Sequence, residues 1–222
     1  MSHQVFDLAL RGPYIALRRV ITRALERRAG VDTGGEVQLE ELDLDPLHRV
    51  RYKPSGWFTL HRILPASEVS ERDVFIDFGS GKGRIVYQAA ARYPLARVIG
   101  VEASERLHHV AQENLARARS RLRAREVELV CSDVLDYEVP DEVTIAYFCN
   151  PFTGPIFTSV IERLIASLER KPRHLRIIYF NPVEHRRLLD AGFQLVRTSR
   201  GMRPTREWST SNSTRMYERI TR

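Results

Sequence analysis

Val74-Phe75-Ile76-Asp77-Phe78-Gly79-Ser80-Gly81-Lys82-Gly83-Arg84 is the stretch of sequence that decides the fold. Its first residues are apolar and predict a buried strand that ends at the carboxylate of Asp77. Three glycines at alternate positions then predict a sharp turn, and the following residues, Ile85 to Arg92, predict a helix. A strand, a tight turn and a helix N-terminus in this order are typical of α/β folds in which the backbone approaches a ligand closely.

The spacing of the glycines decides which ligand the turn suits. A phosphate-binding P-loop requires G-x-x-x-x-G-K-[ST], but here Gly83 follows Lys82, and Ile76 stands at the first glycine position. A dinucleotide-binding turn requires G-x-G-x-x-G, but Arg84 stands in place of its third glycine. The pattern present, Asp-x-Gly-x-Gly-x-Gly, resembles motif I of the class I S-adenosylmethionine (SAM) methyltransferases. In that family the glycines let the backbone lie against the methionine part of SAM. A purely structural glycine turn is the alternative.

Three further predicted strands end in polar residues at positions that suit the same family. Glu102 ends the second strand, 19 positions after Gly83, where an acid binds ribose hydroxyls. Asp133 follows the third strand, and in the SAM methyltransferases an acid here usually bonds the adenine amino group. Asn150 follows the fourth strand, at the position of motif IV. Because ligands bind at the carboxyl ends of parallel strands, we expect these groups to converge on one site.

The resemblance implies a Rossmann-like α/β fold with a seven-stranded, mostly parallel sheet of order 3-2-1-4-5-7-6 and helices on both faces. Two predicted strands near the C-terminus, Phe193–Thr198 and Thr214–Ile220, have no helix between them and suit the antiparallel hairpin that ends this fold. We divide the chain into an N-terminal helical extension and acidic connector, residues 1–50, and a SAM-binding methyltransferase domain, residues 51–222.

The same resemblance implies which residues hold the cofactor, SAM. In some methyltransferases the segment before motif I covers the cofactor with a tyrosine and a small polar residue, which correspond here to Tyr52 and Ser55. An aromatic face is favourable near the sulfonium charge of SAM, although Tyr52 and Trp57 would equally serve to pack a loop on the sheet. The predicted cofactor-binding residues are Tyr52, Ser55, Asp77, Gly79, Ser80, Gly81, Lys82, Gly83, Glu102 and Asp133.

Asn150-Pro151-Phe152 is the predicted catalytic segment. It resembles the [ND]-P-P-[YFW] motif of amino-group methyltransferases, in which the Asn oxygen and the Pro carbonyl accept bonds from the substrate NH₂ and the aromatic ring stacks on a planar substrate. This chain is one proline short of the motif. The shorter spacing weakens the prediction that the aromatic ring reaches the substrate, and with it the prediction of a nucleobase substrate. Asn181-Pro182 repeats the dipeptide elsewhere, so a structural Asn-Pro turn is the alternative.

The whole pattern is similar to a group of small bacterial-type SAM methyltransferases that are distantly similar to the non-SET lysine methyltransferases. This likeness implies N-methylation of an amino group on a protein side chain or a small molecule, by direct displacement at the methyl carbon. Alignment of the reactants supplies much of the rate in such a reaction, so no acid or base is obligatory. The alternatives are a small-molecule O-methyltransferase, which would more often carry a His or Lys base, and a non-catalytic SAM- or RNA-binding module.

Composition sets broader limits. The 222 residues carry a net charge of +7, which is compatible with an acidic partner, but 32 of the 35 basic residues are arginines and such a skew can reflect genome composition. Nucleic-acid binding is therefore disfavoured, and the partner we expect is an amine-bearing acceptor, with the oligomeric state open. We expect a cytoplasmic protein with no membrane span, no metal site, and Cys131 and Cys149 as small buried core residues.

Three segments outside the glycine turn carry weaker signals. Residues 1–29 predict helix, with an apolar stripe formed by Tyr14, Leu17, Ile21 and Leu25 that we expect to pack on the core rather than on a membrane or partner. Residues 30–50 are acidic and predict a connector. Ser199–Ser213 is a long hairpin connection, and loops of this length are often functional.

Overall fold

The computed structural model describes residues 11–42, 44–200 and 213–220. Its helices and strands are, in chain order, α1 (Arg11–Ala29), α2 (Thr59–Ile63), β1 (Val74–Phe78), α3 (Arg84–Arg92), β2 (Arg97–Glu102), α4 (Glu105–Ala118), β3 (Glu126–Cys131), β4 (Val143–Phe148), α5 (Gly154–Arg170), β5 (His174–Phe180), α6 (His185–Asp190), β6 (Gln194–Arg200) and β7 (Ser213–Ile220). Short 3₁₀ turns at Leu39–Leu42, Ala66–Glu68 and Arg119–Arg121 connect them.

The seven strands form one sheet of order β3-β2-β1-β4-β5-β7-β6, as predicted. Strands β1 to β5 run parallel, and β7 lies antiparallel between β5 and β6. From β1 the chain first adds β2 and β3 on one side and then β4 and β5 on the other, so the strand order reverses between β1 and β4. Open α/β sheets bind their ligands at this switch point.

The sheet is covered on both faces, which explains why its central strands are apolar throughout. One core contains Phe148, Phe157 and Tyr179, and the other contains Phe75 and Tyr147. Helix α3 packs very closely on β2. A Cβ added at Gly100 would come within 2.7 Å of Val86 Cγ2, so glycine is required at this contact.

Helix α1 does not pack as its apolar pattern predicted. Leu17, Val20 and Ile21 are 60%, 61% and 43% exposed, so the expectation of an apolar stripe on the core is wrong for these residues. The buried face carries Glu26 and Ala29 instead. A polar anchor decides the orientation, because the carboxylate of Glu26 pairs with a buried arginine of the sheet domain.

The cysteines also differ from expectation. Cys131 is exposed and Cys149 half-buried, and both are free thiols. Their strands, β3 and β4, are separated in the sheet by β2 and β1, which leaves no route to a disulfide. Of the connection at 199–213, Arg200 ends β6, while Arg203, Arg206 and Trp208 lie outside the described residues. None of the described helices is long and apolar enough to cross a membrane.

Candidate functional site

A cleft of about 850 Å³, including its open mouth, lies at the carboxyl ends of the strands. The polar residue at the end of each of four strands lines it: Asp77 of β1, Glu102 of β2, Asp133 after β3 and Asn150 after β4. The strand ends therefore converge as the sequence predicted.

The glycine turn forms the floor of this cleft. Gly79, Gly81 and Gly83 have φ angles of 72°, 55° and 79°, in the left-handed region where side chains are disfavoured. The turn is tied to β2, since the Gly81 N–H donates to Glu102 Oε2 at 2.7 Å and the N–H groups of Gly79 and Ser80 donate to the Val101 carbonyl. The turn is thus fixed by contacts of its own backbone to the adjacent strand.

Two buried carboxyl groups dominate the electrostatics of the floor. Burial raises the pKa of Asp77 well above its ordinary value, and the nearby charge of Glu102 raises it further. Burial also raises the pKa of Glu102, but the backbone N–H groups of Ser104 and Gly81 oppose this shift. The other Glu102 oxygen, Oε1, accepts the Ser104 N–H at 2.9 Å, so both oxygens are oriented.

A covering segment, residues 48–55, lies over the cleft. It is anchored by Tyr52, whose hydroxyl donates to the Thr33 carbonyl and whose ring lies so near Gly81 that a Cβ there would come within 2.2 Å of it. Ser55 Oγ and the hydroxyl of Tyr147 are 2.8 Å apart and hydrogen-bonded. Both predicted residues of this segment line the cleft.

Arg49 of the covering segment forms an ion pair with Asp133 at the side of the cleft. The second oxygen of Asp133 accepts the N–H of Leu135 at 2.9 Å. Asp133, predicted to bond the adenine amino group, thus has both oxygens engaged by the protein, and Arg49 is a cleft residue that sequence reasoning missed.

Arg84, the residue after the glycine turn, is a second missed residue, and it is 5% exposed. Its guanidinium donates to Glu26 Oε1, Thr33 Oγ1 and the Ser55 carbonyl at 2.7–2.8 Å. A buried charge with this many partners is held in one place. It joins helix α1 and the covering segment to the start of α3.

The segment after β4 is bent at Asn150, which has a φ of 51°. The hydroxyl of Tyr179 donates to Asn150 Oδ1 at 3.2 Å, so the side-chain amide is held from behind. The carbonyl of Pro151 accepts the Val50 N–H at 3.0 Å, which uses one of its two lone pairs. The covering segment and the Asn150 segment are therefore hydrogen-bonded to each other.

Pro151 and Phe152 line the cleft with Asn150, but the Phe152 ring is not free to stack on a substrate. It is 4% exposed and packs edge-on against Phe148, with ring centroids 6.0 Å apart. The stacking role suggested by the amino-methyltransferase motif is therefore not supported. With one proline fewer, the ring lies in the core.

Three of the predicted cofactor residues are absent from the cleft lining. Gly81 lies beneath Tyr52, and Gly83 packs on α4, where an added Cβ would come within 3.1 Å of Ala111 Cβ. Lys82 Nζ donates to the Gly34 carbonyl at 2.8 Å, away from the cleft. The other seven line it: Tyr52, Ser55, Asp77, Gly79, Ser80, Glu102 and Asp133.

Two further groups bear on the chemistry available near Asn150. Cys149 lines the cleft, but burial raises the pKa of its thiol to about 11, so it is not a thiolate at neutral pH. His48, which sequence reasoning overlooked, contacts the Asn150 segment at Gly154 and does not line the cleft. Neither is placed as a general base.

The cleft suits SAM in the chemistry of its donor set. Glu102 offers carboxylate oxygens of the kind that accept ribose hydroxyls at the tip of a second strand. Ser80 also lines the cleft, and its Oγ is buried with no hydrogen-bond partner among the described residues. The chain's own residues therefore fit the predicted cofactor.

Comparison with known proteins agrees with this geometry. The family model for "Histone methylation protein DOT1" matches residues 57–143, which is less than half of the chain. The chain is 27% identical over 150 residues to the H3 lysine-79 specific histone-lysine N-methyltransferase of Drosophila melanogaster, covering 64% of this chain and 8% of that protein. It is also 25% identical over 122 residues to a protein-lysine N-methyltransferase of Saccharolobus islandicus, and this match covers 55% of this chain and 70% of that protein.

Among solved structures, the fold is similar to magnesium protoporphyrin IX methyltransferase from Synechocystis PCC 6803, with bound SAM. The identity is 17%, the TM-score 0.48, and the coverage 67% of this chain and 69% of that one.

The sheet order and the glycine turn are those expected of a class I SAM-dependent methyltransferase, and the family-model match over residues 57–143 supports this assignment. SAM is the cofactor of this class, as predicted from the sequence. Within the class, the relatives that match in sequence are lysine methyltransferases, and the chain spans only a small part of the fly enzyme.

Proposed function

We propose that the protein transfers the methyl group of SAM to the amino group of a protein lysine side chain. The observation that carries this proposal is the position of Asn150, which lines the same cleft as Glu102 and is held by Tyr179. The two sequence relatives named as lysine methyltransferases support it.

When bound, SAM supplies an electrophilic methyl group on a sulfonium. The residues proposed to hold it are Glu102, at the ribose, Ser80 and Gly79, along the turn, and Tyr52, near the sulfonium. The covering segment excludes water from above. Water exclusion strengthens every polar interaction inside the cleft.

Asn150 is proposed to orient the acceptor. Its Oδ1 retains a lone pair beside the bond from Tyr179, and this lone pair accepts an N–H of the neutral amine. An amine fixed in this way directs its own lone pair toward the methyl carbon. Positioning of this kind accounts for about 7–11 kcal/mol of a barrier in well-aligned reactions.

Loss of the amine proton is the one step that needs an acceptor. No histidine lines the cleft among the residues that the structure describes, Lys53 of the lining is paired with Glu36 at 3.3 Å, and the thiol of Cys149 is protonated. We propose that the ammonium loses its proton to solvent before the amine enters the cleft. With no histidine in the described lining and with Lys53 held by Glu36, no free base faces a hydroxyl acceptor, which would need to be deprotonated in place; this disfavours the O-methyltransferase alternative.

The experiment is methyl transfer from isotope-labelled SAM to total protein of the expression host, followed by mass spectrometry of the labelled residues. We expect label on the lysine ε-nitrogen, and its loss in Asn150→Ala. The matched control is Asn181→Ala, which removes the other asparagine that precedes a proline and has a positive φ. Label on hydroxyl or carboxyl groups, with none on lysine, would refute the proposal.

A further inference from the structure

A second cavity, of about 660 Å³ including its open mouth, lies apart from the cofactor cleft. It is formed between the end of α1, the segment before α2, helix α3 and the turn Arg119–Arg121. Its lining consists of Leu25, Arg28, Ala29, Trp57, Tyr87 and Arg121, and none of these residues lines the cleft. The enclosed part of this space, about 370 Å³, accommodates a small organic ligand.

The charge of this cavity is positive and unbalanced. Arg28 and Arg121 both line it, and neither has a carboxylate partner within the part of the chain that the structure describes. The nearest acid of α1, Glu26, already pairs with the buried Arg84. Both arginines are exposed at the mouth of the cavity, and guanidinium is the preferred protein group for binding phosphate.

One of the two arginines is held in place before any ligand arrives. Arg121 Nη1 donates to the Ala29 carbonyl at 2.7 Å, which leaves its other N–H groups for a ligand. This bond also ties the turn Arg119–Arg121 to the end of α1. The two segments that supply the charge are therefore fixed relative to each other.

Aromatic rings form the other wall. The rings of Trp57 and Tyr87 meet edge to face, with centroids 6.1 Å apart. The guanidinium of Arg84 lies 5.3 Å from the indole centroid. The indole Nε1 is buried without a hydrogen-bond partner, so it lacks the acceptor that a buried tryptophan normally has. The aromatic surface of these rings beside the two arginines suits a ligand with a ring and an anionic group.

We propose that this cavity is a binding site for a small organic phosphate that carries an aromatic ring. The phosphate lies between Arg28 and Arg121, and the ring lies against Trp57 and Tyr87.

The test is titration of phenyl phosphate, followed by the fluorescence of Trp57. The chain has two tryptophans, so a Trp208→Phe background isolates the signal. We expect quenching that saturates with phenyl phosphate concentration. Arg28→Gln and Arg121→Gln should each raise the dissociation constant about tenfold or more, since each removes a charged donor. Arg119→Gln, a substitution in the same turn at a residue that does not line the cavity, is the control and leaves the affinity unchanged.

Further titrations test whether both parts of the ligand contribute to binding, and whether the cavity is distinct from the cofactor cleft. Phenol and inorganic phosphate, which each carry half of the probe, bind more weakly than phenyl phosphate. Saturating SAM does not displace phenyl phosphate, because the cleft is separate. The proposal is overturned if quenching does not saturate, or if Arg119→Gln weakens binding as much as Arg121→Gln. It is also overturned if phenol or inorganic phosphate binds as tightly as phenyl phosphate, or if SAM competes with phenyl phosphate. Each variant is first shown to keep the thermal unfolding midpoint of its parent.

Discussion

Arg49 and Asp133 form an ion pair across the cleft although they stand 84 positions apart in the chain. Their side chains are only 18% and 27% exposed, and the pair connects the covering segment to the end of β3. It is the contact by which the segment before the sheet reaches the β3 side of the cleft.

The first prediction concerns the stability of this pair. Arg49→Gln leaves the Asp133 carboxylate partly buried without its cation, and we expect a loss of about 1–3 kcal/mol in the free energy of unfolding. A double-mutant cycle with Asp133→Asn, measured by urea unfolding, should give a coupling energy of about 1 kcal/mol or more. The control pair is Arg125–Glu71, with both side chains about two-thirds exposed, and its coupling should stay below about 1 kcal/mol. Equal coupling in the two pairs would contradict the prediction.

The second prediction concerns Arg84 and Glu26. Glu26→Gln keeps the size of the side chain but leaves the guanidinium of Arg84 buried without a counter-charge, so unfolding should become easier by about 3–5 kcal/mol. Chemical denaturation measures this, and Glu113→Gln, which alters an exposed acid on α4, should cost less than about 1 kcal/mol. A cost below about 1 kcal/mol for Glu26→Gln would show that Arg84 does not depend on this carboxylate.

The third prediction concerns the pH dependence of stability. Burial, and then the charge of Glu102, raises the folded-state pKa of Asp77 above its unfolded value, so the folded protein binds this proton more tightly. By linkage, Asp77 stabilises the fold most below the pKa that it has in the unfolded chain. This contribution is lost as the pH rises from that value to the raised pKa of the folded state. We therefore expect Asp77→Asn to raise the free energy of unfolding at neutral pH and to flatten its pH dependence.

The measurement is urea unfolding of the wild type and Asp77→Asn at several pH values, with Asp141→Asn, at a partly exposed carboxylate, as the control. The hydrogen bond from Arg170 lowers the pKa of Asp141 in the folded protein. The wild type should therefore gain stability relative to Asp141→Asn as the pH rises, which is the opposite of the trend expected for Asp77→Asn. A wild type that gains stability relative to Asp77→Asn as the pH rises would contradict the prediction.

The fourth prediction concerns the support of Asn150 by Tyr179 and rests on the proposed function. Tyr179→Phe removes one hydrogen bond worth about 0.5–1.5 kcal/mol, so kcat should fall about 2- to 10-fold while the affinity for SAM stays constant. Tyr137→Phe, at a half-buried tyrosine outside the cleft lining, should leave both unchanged. A weaker affinity for SAM with unchanged kcat would show that Tyr179 supports the cofactor rather than the acceptor side.

Much of the frame could be predicted from sequence because it depends on local spacing. The apolar run before Asp77, the alternate glycines and the acid at Glu102 each lie within a few residues of the element that they define. The resemblance that these residues carry then supplies the sheet order. Ser104 likewise caps α4 as its residue type predicts, accepting the Leu107 N–H through its hydroxyl.

The site details that could not be predicted depend on contacts between distant segments. Arg84 is separated from Glu26 by 58 positions, and no local pattern marks them as partners. Their pairing turns Leu17 and Ile21 of α1 to the solvent, against the apolar periodicity of the helix. The ring of Phe152 is another such case, because its burial depends on the space left beside Phe148 and Phe157.

Calorimetric titration of SAM into the protein tests the central claim most directly. We expect binding at about micromolar dissociation constant, weakened at least about tenfold in Glu102→Ala, which removes the carboxylate at the end of β2. Glu128→Ala, at a partly exposed carboxylate of β3 outside the cleft lining, should bind as the wild type does. No detectable binding by the folded wild type, or equal binding by Glu102→Ala, would contradict the assignment of the cleft as the SAM site.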